Sequence, residues 1–337
     1  MQAKIEKYGF INKTGNVVIP CQFDKVEDFS EGLAAVKVDE KWGFINTIGE
    51  MVIEPKFIFD PYGITKKFSE GLTTVKINDT YGFINKVGDI VIEPLFSRTR
   101  QFSEGLAAVE INKKWGFICN EGKFVIDPQF ELADDFHDGL AIVKIDGKCR
   151  VINKSGETIL VTDFEAMQPF SDGLSLCGDG MFGGDNKCFI DMEGNKVLDV
   201  KEYTGIQPFS DGLAWAVKGK FNTGKSLFLD KNGNAIKGRY ADAHSFSEGL
   251  AAVKKTNKID GVKSDNYGYI NTSGKYVIEP QFSSANPFSE GMAIVDMGCH
   301  KYAIIDKNCN IIPIPQGVKP SVLCKFQEGL AIVYQEF

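Results

Sequence analysis

The residue types best able to do chemistry recur with a period of the chain itself. An acid stands directly before glycine nine times, as Glu31, Glu70, Glu104, Asp138, Asp172, Asp211, Glu248, Glu290 and Glu328. Each lies two places after a phenylalanine, in a copy of Phe-Ser-Glu-Gly-Leu or a variant of it. The copies begin at Phe29, Phe68, Phe102, Phe136, Phe170, Phe209, Phe246, Phe288 and Phe326, 34 to 42 residues apart. If they closed into a ring, the nine carboxylates would form a circle able to bind cations or a basic peptide. The same string suits a tight turn, in which Ser and the acid hydrogen-bond local backbone N–H groups and Gly takes φ > 0. We adopt the turn for the acids and a core anchor for each phenylalanine.

Three non-recurring strings are less apt for chemistry than they look. Gly219 to Ser226 reads GKFNTGKS and fits the P-loop string, but a P-loop needs a strand before it and a helix after it to cradle phosphate. The residues that follow, LFLDKNG, are in phase with a strand and its turn. His137, His244 and His300 occupy different places in the repeat and form no metal-ligand pair. Gly178 to Asn186 carries Asp179 and Asp185 among glycines but lacks the spacing and distal Glu of a calcium loop. No catalytic residue, metal ligand or cofactor is assigned.

The elements that must position these residues are short strands. After each acid-Gly pair comes an apolar run such as LAAVKV, as expected of a buried strand. WGFIN follows as a second strand, closed by N-x-x-G (Asn46 to Gly49, Asn85 to Gly88, Asn153 to Gly156, Asn271 to Gly274), which supplies turn chemistry. MVIEP or its equivalent is the third, and Pro55, Pro94, Pro128 and Pro280 should each mark a strand end or an edge. Each unit is thus a three-strand meander, with a short fourth strand before the next Phe-Ser-Glu-Gly. No amphipathic helix of normal length appears.

The chain begins at YGFIN without a preceding LAAVK and stops on LAIVYQEF without a following WGFIN. Pairing the strand at 330–337 with that at 8–12 would close the array and remove two sheet edges. The expected fold is all-β: a closed, β-propeller-like ring of nine units of three to four strands, forming a single domain over 1–337. The alternative is an open β-solenoid, which needs polar caps.

On these residues the chain resembles the bacterial WG-repeat (KWG) family, whose units carry Trp-Gly, FIN, a turn Gly, V-I-x-P-x-F and F-S-E-G-L-A. Trp42-Gly43, Trp115-Gly116 and the Tyr-Gly variants at Tyr8, Tyr81 and Tyr267 fall in phase. The resemblance implies a β-propeller-like binding scaffold and brings no catalytic residues. Cys149-Arg150, Lys187-Cys188, Ser226-Leu227 and Tyr302-Ala303 depart from the pattern, so altered local packing is expected there.

Composition excludes several classes. The net charge is −7 and arginine occurs only at Arg98, Arg100, Arg150 and Arg239, which argues against a nucleic-acid partner. No apolar run of about 18 residues marks a membrane span, and no signal peptide is visible. Eight cysteines at unrelated repeat positions without CxxC read as reduced, mostly buried thiols and a cytoplasmic setting; a form processed before Met1 would instead be secreted or envelope-bound.

Function is expected where the copies stop matching. The hairpin between LAAVK and WGFIN enlarges in three consecutive units, five to seven, at Gly178 to Lys187, Gly219 to Lys225 and Lys254 to Asn266. Insertions at one repeat position gather on one rim and commonly form a binding surface. All 26 phenylalanines but Phe59, Phe124, Phe182, Phe221 and Phe337 fall on three recurring positions, and two of these exceptions lie in the enlarged loops. The binding residues expected are Phe182, Asp185, Lys220, Phe221, Lys225, Lys255, Lys258 and Lys263. The expected function is a non-enzymatic scaffold for a protein or peptide partner. Alternatives are a carbohydrate- or cell-envelope-binding module and, third, an enzyme with its site in a central channel. A smaller insertion spans Phe59 to Thr65.

Overall fold

The computed structural model describes residues 5–58, 66–180, 184, 186–219, 224–236, 238–259, 262–321 and 324–337, and among these the side chains of 256–264 are not described. The described residues form nine small antiparallel sheets and no helix. There is one sheet per copy of the repeat. Sheets are numbered here by their Phe-Ser-Glu-Gly copy. Sheet 1 runs in order Lys25–Val26, Leu33–Val38, Lys41–Asn46, Met51–Phe57, and sheets 3, 4, 5, 7 and 8 have the same four-strand order. Sheet 9 is built from both ends of the chain: Lys319–Pro320, Leu330–Glu336, Glu6–Asn12, Val17–Phe23. The Ile5 and Phe337 backbones exchange hydrogen bonds of 3.2 and 2.9 Å beyond those strands. An open solenoid has no such pairing.

The residues divide into two compact units, one of Met1–Gly9, Val18–Pro169 and Glu336–Phe337, the other of Phe10–Val17 and Phe170–Gln335. Sheets 1 to 4 lie in the first, and sheets 6 to 8 with the last three strands of sheet 5 in the second. Within each, the core is made between consecutive sheets. In the first unit Leu33, Trp42, Phe44 and Ile53 of sheet 1 bury against Phe68, Val75 and Ile84 of sheet 2. In the second, Leu213 and Phe228 of sheet 6 bury against Phe246, Ala251 and Ile270 of sheet 7.

Six of the anchor phenylalanines pack their rings edge-on or tilted against the aromatic of the preceding FIN strand. The ring centroids lie 5.0 Å apart for Phe44–Phe68, 4.9 Å for Phe83–Phe102 and 4.7 Å for Phe189–Phe209. Eight of the nine anchors are buried; Phe170 is the exception, being half-buried.

The Trp-Gly pair has a steric cause. Trp42 faces Phe57 while Phe44 faces Ile53, so the outer strand carries two more residues than its partner across this step. The bulged backbone folds over Gly43, where a Cβ would lie 2.3 Å from Ile53 O and 2.8 Å from Pro55 N. Gly9, Gly82, Gly116 and Gly268 sit under the same carbonyl at 2.3, 2.4, 2.6 and 2.5 Å. Pro55 lies inside Met51–Phe57, on the edge strand, so it marks an edge and does not end the strand. Where Arg150, Cys188 and Ala303 replace the glycine, the outer strands shrink to Thr158–Val161, Lys196–Asp199 and Ile311–Pro313, and at Cys188 and Ala303 the pairing runs on without the crossing bulge.

Three outcomes follow for thermal unfolding. Gly43→Ala should cost about 1–3 kcal/mol or more, because rigid backbone must move. Gly32→Ala, whose Cβ would meet nothing within 4 Å but whose φ is +83°, should cost about 1 kcal/mol. Deleting Leu330 to Phe337 removes an interior strand of sheet 9 and should lower Tm by roughly 10 °C or more; an unchanged Tm would contradict the pairing of the ends.

Candidate functional site

The acid-Gly pairs form two-residue hairpin turns in which both residues have positive φ, as in Glu31 (54°) and Gly32 (83°), with Ser30 and Leu33 exchanging backbone hydrogen bonds of 2.9 and 3.2 Å. All nine acids have φ between 50° and 55°. Such a conformation is costly for a glutamate, and the side chains supply the compensation. The Glu31 carboxylate accepts from Glu70 N (2.6 Å) and Gly71 N (2.9 Å), the two turn amides of the next copy. Glu70 accepts from Gly105 N and Glu104 from Gly139 N in the first unit. Asp172, Asp211, Glu248 and Glu290 do the same to Gly212, Gly249, Gly291 and Gly329 in the second. The expected local hydrogen bonding is thus corrected: the acid's side chain serves its neighbour's turn. Ser behaves alike, its Oγ donating to the next anchor's carbonyl, as in Ser30 to Phe68 O (2.7 Å) and Ser247 to Phe288 O (2.8 Å).

A lysine following FIN completes several of these joints. Lys86 meets Glu31 at 3.1 Å, Lys154 meets Glu104 at 3.1 Å, Lys307 meets Glu248 at 3.2 Å and Lys13 meets Glu290 at 3.0 Å. For Glu31, burial opposes ionisation, but the Gly71 N–H, Lys86 and the Glu70 N–H together outweigh it and hold the carboxyl below its ordinary value. Glu104 and Glu290 are lowered by the same balance. These carboxylates are committed to joining consecutive copies.

The enlarged hairpins bear out one shared position. In sheets 1 to 4 the corresponding turn has two residues, Asp39-Glu40, Asn78-Asp79, Asn112-Lys113 and Asp146-Gly147. In sheet 7 the strands lengthen to Leu250–Ile259 and Val262–Asn271, paired through Ile259 and Val262. At the foot of this hairpin lies a cleft of about 550 Å3 lined by Arg239, Tyr240, Lys255, Lys275, Tyr276 and Glu279. Lys255 Nζ stands 5.5 Å from the Tyr276 ring centre, and burial pushes the Tyr276 phenol up to about 12. Lys225 begins the strand Lys225–Leu229, directly before Ser226, whose backbone pairs with Tyr240 of the cleft.

Of the expected binding residues, then, the structure brings Lys255 into the cleft and Lys225 beside it. Phe182, Asp185, Lys220 and Phe221 lie outside the described residues, as does the insertion at 59–65. Lys258 and Lys263 face each other in the hairpin ladder, with their side chains outside the described set. Lys225–Leu229 is a strand where a P-loop requires a helix. Four cysteines are buried and Cys299 is exposed. Among the described residues no group of three or more His, Cys, Asp or Glu could hold a metal ion. No helix among them is long and apolar enough to cross a membrane.

Sequence reading missed an ionic row in the first unit, formed by the two residues before each anchor. Lys66 pairs with Glu27 at 3.2 Å and Lys67 with Asp28 at 2.9 Å. Gln101 donates to Lys67 O, and Arg100 meets Asp134 at 2.5 Å. Burial raises the Asp134 and Asp135 carboxyls, against the pull of Arg100. The signal was available only by reading this position across successive copies, where Glu27-Asp28 is followed by Lys66-Lys67 and Arg100-Gln101 by Asp134-Asp135.

A sequence model described as the WG containing repeat matches residues 8–42, 42–81, 81–115, 115–149, 189–220, 228–258 and 267–298. The chain belongs to the WG-repeat family. The bulge that requires glycine after Trp is thus the WG repeat's own signature seen in three dimensions, and the longest unmatched stretch between segments, 150–188, contains Arg150 and the short strand that follows. No curated protein compared with this WG-repeat chain matches it. Among solved structures it is similar to the extracellular domain of a putative hybrid two component system, BT3049, from B. thetaiotaomicron (12% identity, TM-score 0.32, 93% of this chain and 52% of that one). It is also similar to PorZ, a bacterial surface component of the type-IX secretion system of Porphyromonas gingivalis (8% identity, TM-score 0.36, 96% and 56%). The chain spans about half the length of each of these proteins.

The lowered carboxyls set a pH dependence. Their contribution is complete above the ordinary glutamate value near 4.5 and is lost as pH falls through the lower folded values. Glu31→Ala should cost about 1 kcal/mol at pH 7, and urea unfolding should find that difference shrinking below pH 4.5; a difference independent of pH would contradict an ionised joint.

Proposed function

We propose that this WG-repeat chain is a non-enzymatic scaffold that binds an acidic peptide segment of a protein partner through the hairpin face of sheets 5 to 7. The observation carrying this reading is the cleft at the foot of the extended sheet-7 hairpin. Arg239, Lys255 and Lys275 line it against one acid, Glu279, and Tyr240 and Tyr276 give it aromatic surface. Cations beside aromatic rings favour a ligand with carboxylates next to apolar side chains. The hairpin supports the same reading, since a ten-residue ladder extends well beyond the turns of sheets 1 to 4 and adds backbone and side-chain surface beside the cleft. The scattered cysteines favour a cytoplasmic setting, where thiols stay reduced.

Peptides selected from a random displayed library on the full chain should be acidic and should bind less tightly as salt rises. Lys255→Glu should weaken them roughly tenfold or more, and so should replacing 256–265 with the two-residue turn Asn-Gly, both with unchanged melting. Selected peptides that bind equally well to both variants would refute the site.

A further inference from the structure

A second cavity, of about 280 Å3, lies within the second unit and shares no residue with the cleft above. Repeat positions that are structural elsewhere converge on it. His244 and Asn286 stand two places before the anchors Phe246 and Phe288, the row that forms ion pairs in the first unit. Tyr267 and Tyr302 stand at the Trp position, and Asp296 and Tyr334 stand where Lys37 stands in sheet 1.

Uncommitted polar groups point to a ligand. The His244 ring and the hydroxyls of Ser284, Tyr302 and Ser321 line the cavity, and none makes a side-chain hydrogen bond among the described residues. All but Ser284 are half-buried, so each is open to a molecule in the cavity. The frame around them is fixed. Tyr267 Oη donates to Asp242 Oδ2 at 2.6 Å, its ring 6.2 Å from that of His244, and Asn286 Nδ2 donates to Cys324 O at 2.8 Å. Asp296 Oδ1 accepts from Gly298 N at 2.8 Å, which leaves its other oxygen for a ligand.

The chemistry of the lining selects the ligand class. Among the described residues no lysine or arginine lines the cavity itself, Lys254 and Lys319 standing over the Tyr267 and Tyr334 rings; Asp296 is an acid, and burial lowers the His244 pKa, so its neutral ring both donates and accepts. Aromatic faces beside neutral donors and acceptors match a ring with an apolar C–H face and several hydroxyls. The volume is at the small end for ligand sites, about 300–1,000 Å3, and suits one ring. We propose that this cavity binds a single neutral hexose ring, free or as the terminal residue of a glycan. This site is independent of the peptide cleft.

The test is calorimetric titration of the full chain with D-glucose, D-galactose, D-mannose and N-acetyl-D-glucosamine, with D-glucuronate as the charged comparison. At least one neutral sugar should bind at one site per chain, and glucuronate more weakly. Tyr302→Phe, which keeps the ring, and His244→Ala should each weaken binding roughly fivefold or more at unchanged melting temperature, while Lys255→Glu leaves it unchanged. A terminally linked disaccharide binding as well as the free sugar identifies a glycan end as the source; binding of the free sugar alone identifies a small-molecule site. Failure of all four neutral sugars to bind, binding that survives both substitutions, or equal binding of glucuronate would overturn the proposal.

Discussion

The fold depends on a joint between consecutive sheets, made at a turn whose central acid is held in a left-handed conformation. That conformation is unfavourable for a side chain larger than glycine's, yet the chain repeats it nine times. The carboxylate explains its retention where its bonds are defined: it reaches the exposed turn amides of the next copy, while Ser Oγ takes the next anchor's carbonyl and the anchor ring packs on the aromatic behind it. One short string thus joins two sheets by ion, hydroxyl and ring. Because each copy satisfies the next, the same sequence can be repeated many times, and each sheet can stay small without a core of its own.

This division of labour leaves the outward hairpins unconstrained. The turn between the second and third strands of each sheet takes no part in the joint, so it can be two residues long in sheet 1 and the end of a ten-residue ladder in sheet 7. The row before each anchor varies for the same reason. In the first unit it is filled by complementary charges, and in the second by His244 and Asn286 beside a cavity. Positions fixed by the joint carry stability, and positions it leaves open are where recognition can be built.

Much of this was legible in the sequence. The turn residues, the strand order and the pairing of the chain's ends could be read because each rests on local patterns repeated in phase. The reach of Glu31 to Gly71 could not, since a carboxylate before glycine satisfies a local turn equally well on paper. The reason for glycine after Trp42 was also hidden: it lies in a backbone crossing from the outer strand, and Pro55, which suggested a strand end, sits inside that strand. For the candidate site, the loop position was legible and Lys255 could be named from it, but Arg239, Tyr240 and Tyr276, which line the same cleft, come from other segments and meet only on folding. The cavity around His244 was invisible because each of its residues looks like ordinary variation at its own position.

The account's central claim is that the turn amides are held by the carboxylate of the preceding copy, as at seven of the nine turns. Amide hydrogen exchange on the intact chain tests it directly at Gly71 and Gly105 in the first unit and at Gly212, Gly249, Gly291 and Gly329 in the second. These amides sit in surface turns outside any strand ladder, so they should exchange quickly unless the carboxylates hold them. Slow exchange at all six, with Glu31→Ala releasing Gly71 alone, is the predicted result. Fast exchange at these glycines in the unmodified chain, or protection at Gly71 that survives Glu31→Ala, would contradict it.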